Sequence, residues 1–260
     1  MRILLSPAKK MREGADFLPP RTRPALLEQA ARLADYLRSL AYPDLKGILA
    51  CNDRIASLNY RRYQDMDLSR PGTPALLSYD GIQYQYMAPH LFTREQYDYV
   101  QDHVRVLSGL YGVLRPFDGV VPYRLELGAR FRTDFCASLY DYWGDALCRT
   151  AAEGDPVLLN LASEEYAKGV RPWVAGETAL IDVVFGEPEG DRLVEKGVYV
   201  KMARGEMVRF LAERGAERPE EAQAFDRMGY RYAPERSQPR RYVFVRTEKP
   251  EGRARRRLGG

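Results

Sequence analysis

Histidine and cysteine are scarce in this chain of 260 residues, with two of the first and three of the second. Cys51, Cys136 and Cys148 are odd in number and far apart, which argues against a disulfide framework and fits a reducing compartment. His90 and His103 come with no HExxH and no CxxC, so zinc and di-iron sites of the usual composition lack their ligands. Neither histidine is assigned to catalysis, and no metal or cofactor is called for. No run approaches the ~20 apolar residues of a membrane span. The short apolar stretch in MRILLSPAKK is followed by no small-residue cleavage site. A cytoplasmic protein with no membrane partner is expected. GxxxxGK[ST], a strand followed by GxGxxG, and the GxSxG elbow are all missing, which removes the P-loop, dinucleotide-fingerprint and serine-hydrolase readings.

What is present is ordinary globular material, 45% hydrophobic and 29% charged. No internal repeat or linker divides the chain, so a single mixed α/β domain over residues 1–248 is expected. The formal charge of +4 is unevenly spread. From Arg236 onward there are nine Lys/Arg against two Asp/Glu; taking that +7 from +4 leaves −3 for residues 1–235. KPEGRARRRLGG (249–260) has no apolar periodicity and reads as a basic, disordered tail. Basicity therefore argues weakly for a nucleic-acid partner.

Along the chain, RILLS (2–6) and PVLLNLAS (156–163) read as short buried strands. ALLEQAARLADYLRSL (25–40) has helical spacing, a second helix runs through LKGILACN, and Asn52 caps a third. ALLSYDG (75–81) and VPYRLELG (121–128) read as strands. Thr93 and Gln96 form a capping box that opens a helix over 94–107, broken by the glycines of LSGLYG. Residues 138–154 and 202–215 read as helices, Pro219 starts another, and ALIDVVFGE, a DRLVEKGVYVK hairpin and RRYVFVRTE supply further strands.

Four polar sets stand out. Ser6-Pro-Ala-Lys9 places a hydroxyl and an ammonium just past the first strand, a typical ligand position in α/β folds. An SxxK pair also occurs in acyl enzymes, but their SDN and KTG companions are missing. Asn160 ends an apolar strand and is followed by Ser163, Glu164 and Glu165; Ser163 suits a helix cap, whereas an amide that must be buried needs partners. Lys201 and Arg204, before Gly205, lie at a strand-to-helix junction where cations oppose the dipole unless they hold an anion. The turn Gly109-Leu-Tyr111-Gly112 precedes Arg115, Arg124, Arg130 and Arg132 and could aim backbone amides at a phosphate; its plain alternative is a glycine cap over a buried Tyr111.

Taken together, ILLSPAK, LSGLYGVLRPFDGVVPYRLELG, LYDYWGD, LNLASEEYAKGV, KMARGEMVRF and the final GYRY…YVF resemble the YaaA peroxide-stress family, in order over residues 1 to about 246. The resemblance implies a bacterial protein made under peroxide stress that limits free intracellular iron and oxidative DNA damage. It also implies binding of duplex or branched DNA. The implied fold is a compact α/β domain with a positively charged cleft and a helix-hairpin-helix element, mapped to the 94–107 helix and the Ser108–Gly112 turn. On this reading Lys9, Lys10, Arg115, Arg124, Lys201 and Arg204 supply the cleft, and Gly109, Tyr111 and Gly112 supply the phosphate-binding turn. A weaker similarity, to nucleobase-modifying enzymes of the archaeosine synthase type, gives the alternative. There, Lys9 is nucleophile or general base, Ser6 and Asn160 orient a nucleobase or nucleotide, and Glu165 shuttles protons.

Overall fold

The computed structural model describes residues 1–14, 18–190 and 192–247. Its centre is a sheet of eight strands: β1 (Arg2–Leu5), β2 (Val104–Ser108), β3 (Gly112–Leu114), β4 (Val157–Asn160), β5 (Ala179–Glu189), β6 (Arg192–Val194), β7 (Tyr230–Tyr232) and β8 (Arg241–Arg246). The order is β7-β8-β5-β4-β1-β2-β3, with β6 pairing on β5. The five inner strands β8, β5, β4, β1 and β2 run parallel, and antiparallel β7 and β3 close the two ends. Ile3 lies between Val104 and Leu159 in the register, so β1 is buried on both sides and both faces. That explains why RILL is an unbroken apolar run.

Chain order reverses at β1. Residues after β1 travel to β2 on one side, whereas those after β4 travel to β5 on the other. The carboxyl ends of β1 and β4 therefore splay apart at a topological switch point, where open α/β sheets place their ligands.

The helices are α1 (Leu27–Ser39), α2 (Tyr42–Leu49), α3 (Asp53–Gln64), α4 (Ile82–Met87), α5 (Arg94–His103), α6 (Leu139–Trp143), α7 (Ala146–Ala151), α8 (Glu164–Val170) and α9 (Gly197–Arg214), with shorter turns between them. Asn52 caps α3 by accepting the Ile55 amide at 3.0 Å, and Thr93 and Gln96 form the expected capping box on α5. One apolar cluster joins the sheet to these helices, so the chain is a single mixed α/β unit.

Several expectations are corrected. Helix α5 ends at His103, and Val104–Ser108 is the strand β2, because its pairing with β1 buries every one of its residues. The Ser108–Gly112 turn then joins two antiparallel strands, so the mapping of a helix-hairpin-helix there fails. ALLSYDG is a four-residue helix followed by Tyr79–Asp80, which pairs with Lys10–Met11. Residues 121–126 join no helix or ladder among the described residues, and 127–128 form a turn. Side chains hold them instead: Tyr63 Oη donates to the Arg124 carbonyl at 2.9 Å, and Gly109 leaves no room for a Cβ against the Leu125 carbonyl. The 138–154 helix breaks at Gly144, whose φ of 47° separates α6 from α7. The hairpin over DRLVEKGVYVK is only the β6 strand; GVYV already belongs to α9. The expectation of a disordered tail from residue 249 falls outside the described residues. Among the described residues, no helix is long and apolar enough to cross a membrane.

Candidate functional site

A cavity of about 580 Å³ opens at the switch point. Its walls come from the segments after β1 (Ser6 to Lys10), before and within α4 (Asp80 to Tyr84), along the extended stretch Tyr123–Glu126, at the start of α8 (Ser163, Glu165, Tyr166) and on α9 (Lys201, Arg204). Five segments distant in sequence thus meet at the carboxyl ends of two neighbouring strands.

Hydrogen bonds tie the first two walls together. Ser6 Oγ accepts the Ser163 amide at 2.8 Å and lies 3.2 Å from Ser163 Oγ, to which it donates. Ser163 occupies the cap position of α8, but its hydroxyl caps no amide of that helix. The Ser6 carbonyl accepts from Tyr84 Oη at 3.0 Å and from Gln83 Nε2 at 3.2 Å, which seats α4 on the β1 loop. Two glycines permit the close approach. A Cβ on Gly81 would lie 2.9 Å from the Ala8 side chain, and one on Gly205 would lie 2.0 Å from the Gln83 carbonyl oxygen. Backbone contact at Gly205 brings α9 against α4 and sets Lys201 and Arg204 over the cavity.

The charges divide into partnered and unpartnered sets. Lys9 is exposed and lies 3.0 Å from Glu126, which also holds Arg124 at 2.8 Å. Lys10 and Arg12 both lie 2.9 Å from Asp80, and their hydrogen bonds hold its carboxyl below the usual range, Lys10 contributing most. Lys201 is exposed and forms no ion pair among the described residues. Among the described residues, the Nε atoms of Arg124 and Arg204 are buried without an acceptor, and burial lowers the Arg204 pKa. An arginine stays charged in proteins, so Arg204 brings a positive charge to the cavity wall.

Beneath these charges lie Tyr84, Tyr123 and Tyr166, all buried. Tyr123 Oη is 2.9 Å from Tyr79 Oη and 2.6 Å from Ser108 Oγ, and burial pushes its pKa up to about 12. Burial likewise raises Tyr84 and Tyr166, so all three are neutral phenols at physiological pH.

Of the residues singled out in the sequence, Ser6, Lys9, Lys10, Arg124, Ser163, Glu165, Lys201 and Arg204 converge on this cavity. Seven others do not act as expected. Asn160 is buried behind the wall, where Nδ2 donates to Asp182 Oδ1 at 2.7 Å and Oδ1 accepts the Ala162 amide at 3.0 Å. Its amide is consumed internally and cannot orient a ligand. Gly109, Tyr111 and Gly112 form a buried strand turn: Trp143 Nε1 donates to the Gly109 carbonyl, the Tyr111 amide donates to Ser108 Oγ, and Tyr111 Oη accepts the Val121 amide. Every residue of that turn is buried, so its amides are not presented to a phosphate, and the ordinary alternative of a buried Tyr111 is the one realised. Arg115 belongs elsewhere, in a smaller recess with Arg105 and Asp118, 3.6 Å from Glu153. Arg130 and Arg132 are exposed and line no part of the cavity. His103 is buried, with Nδ1 2.8 Å from the Met1 carbonyl.

Sequence reasoning missed Asp80, Gln83, Tyr84 and Glu126. Glu126 sits inside the RLELG stretch, and Gly81 marks the approach of α4, but neither signal says which wall the side chain joins. Among the described residues, no three His, Cys, Asp or Glu side chains gather as a metal site.

Fold and site define an α/β protein with a ligand-sized cavity, lined by basic and acidic side chains, at the switch point of its parallel strands. The family model described as peroxide stress protein YaaA matches residues 1–236, and the chain belongs to that family. It is 52% identical over 246 residues to a UPF0246 protein of Desulfitobacterium hafniense, covering 95% of this chain and 98% of the relative. UPF0246 proteins of Agathobacter rectalis and Lachnoclostridium phytofermentans are 45% and 44% identical, over 95% of this chain and 99% and 97% of their own lengths.

Proposed function

We propose that this peroxide-stress family member binds DNA, without strong sequence preference, through the cationic rim of the switch-point cavity. One observation carries the reading. Lys9, Lys10, Arg124, Lys201 and Arg204 line a single opening, and among the described residues neither Lys201 nor Arg204 has a carboxylate acceptor. Phosphate oxygens supply acceptors for both, and contacts to phosphate carry no base information, which gives the tolerance of sequence. The body's net charge of −3 is compatible with this, because local charge rather than the total steers a polyanion. The family's implied role in limiting free iron and oxidative DNA damage belongs to the same proposal, and direct iron binding is given no ligand set.

The nucleobase-enzyme alternative is less well supported as first framed. Lys9 is an exposed ammonium paired with Glu126, the arrangement of a charged anchor and not of a lysine desolvated for attack. Ser6 Oγ is committed to Ser163, and Asn160 does not face the cavity. The convergence of the remaining groups supports a binding site.

Fluorescence anisotropy with a short labelled duplex tests the proposal. Affinity is expected to fall linearly with log salt, by about 10³-fold or more between roughly 50 and 200 mM if six or more phosphates are engaged. Affinity indifferent to salt over that range would overturn it.

A further inference from the structure

We infer that the cavity receives one nucleotide swung out of the DNA strand, its phosphate on the rim and its base in the recess; this rests on the DNA-binding reading above. A rim that met only phosphates would need cations and an open groove. This site has features that such a ligand leaves unexplained. It is a recess of about 580 Å³, within the few hundred to ~1,000 Å³ typical of small-ligand sites. Buried tyrosines 84, 123 and 166 line it, and they offer apolar ring surface where a sugar-phosphate backbone has little to gain.

Carboxylates make the stronger point. Glu165 lines the recess; its Oε1 accepts the Gly128 amide at 3.0 Å, and among the described residues no hydrogen bond reaches Oε2. A carboxylate oxygen facing a phosphate would repel it, whereas the exocyclic amino or ring N–H of a base is a donor that it can accept. Arg124 and Arg204 line the recess, and their guanidinium groups are donors for phosphate oxygens or for base carbonyl and ring nitrogen acceptors. Rim cations, guanidinium donors, a free carboxylate oxygen and ring surface are all matched by one ligand class. That class is a nucleotide, which combines an anion with a flat heterocycle carrying both donors and acceptors.

Taking a base out of a duplex costs a few kcal/mol, least where it is unpaired, mismatched or damaged. DNA carrying an unpaired base is therefore expected to bind more tightly than fully paired DNA. The gain should require the base itself and not the local flexibility.

The test compares three duplexes of equal length by anisotropy: fully paired, with one central unpaired nucleotide, and with an abasic analogue at that position. Glu165→Gln is the matched variant, because glutamine keeps an acceptor for Gly128 while losing the charge. The inference expects the unpaired-base duplex to bind about tenfold or more tightly than the abasic one, and Glu165→Gln to collapse that preference. Affinity for the abasic duplex should rise in the variant, since one acid is gone. Equal affinity for the unpaired-base and abasic duplexes would overturn the inference and leave salt-sensitive DNA binding standing. Calorimetric titration with dGMP and dAMP separates the other source of the same chemistry. Free nucleotide bound tightly and weakened by Glu165→Gln, with no duplex binding, would overturn the DNA reading and the extruded strand together. Binding of neither DNA nor nucleotide would overturn both the site and its ligand.

Discussion

Gly205→Ala sets two opposed effects against each other within one helix. Alanine in a helix interior is favoured over glycine by about 1 kcal/mol, so on propensity alone the variant is stabilised. Packing opposes this. The new Cβ would stand 2.0 Å from the Gln83 carbonyl oxygen and 2.9 Å from the Met87 amide nitrogen, both backbone atoms of α4 or its last turn. No rotamer relieves a clash with backbone, so α9 must move off α4 by more than ~1 Å. Overpacking of this kind costs typically 1–3 kcal/mol, and the upper end applies where rigid backbone is displaced. A net loss of roughly 2 kcal/mol follows, or a drop of about 4–8 °C in Tm for a chain of this size. Movement of α9 also withdraws Lys201 and Arg204 from the rim, so the folded variant should bind duplex DNA more weakly. Thermal unfolding and anisotropy on one preparation read both effects. A variant as stable as wild type or more so, with DNA affinity intact, would refute the argument that backbone contact at Gly205 builds the site.

Other perturbations separate the cavity from the rest of the fold. Trp143→Phe removes the indole donor to the buried Gly109 carbonyl and should cost about 1–3 kcal/mol in urea unfolding while leaving DNA affinity unchanged, since the turn it supports is not a binding element. Asp80→Asn releases Lys10 and Arg12 from their shared carboxylate and should raise DNA affinity several-fold at about 50 mM salt. The same carboxylate gives a pH signature. Its folded-state pKa is lowered by Lys10 and then Arg12, so its stabilisation is complete above the unfolded value of about 3.9 and is lost as pH falls through the lower folded value. Melting curves from pH 7 down to about pH 3 should therefore show a smaller acid-induced drop in Asp80→Asn than in wild type.

Local pattern was readable wherever local chemistry decides. The Thr93 and Gln96 box, the Asn52 cap and the apolar runs of β1 and β4 all appear as expected. The errors occur where tertiary contact overrides local preference. Val104–Ser108 continues a helical pattern on paper but is claimed by its pairing with Ile3 to Leu5. PYRLELG alternates like a strand, yet its partners are the side chains of Tyr63 and Glu165 and the backbone beside Gly109. At the site, SPAK and LASEE were visible because strand-end loops carry ligands, and Lys201 and Arg204 because cations stood near the junction assigned as a helix start. Helix α9 in fact starts at Gly197, which puts Lys201 and Arg204 inside it. Asn160 was misread because a buried amide at a strand end has the same sequence signature whether it meets a ligand or an aspartate of the next strand. The acids Asp80 and Glu126 could not be placed at the site from the sequence, since only the assembled fold sets them beside Lys10 and Lys9.

The central claim is that DNA sits at the switch-point cavity and not at the glycine turn, and the salt slope of single-charge variants tests it most directly. For a duplex, each phosphate neutralised contributes about 0.9 to the slope of log affinity against log salt. Lys10→Ala and Lys201→Ala should each shallow that slope by about 0.9, whereas Arg115→Ala, in its separate recess, should leave it unchanged. A slope that falls with Arg115→Ala and is indifferent to both lysines would contradict the account.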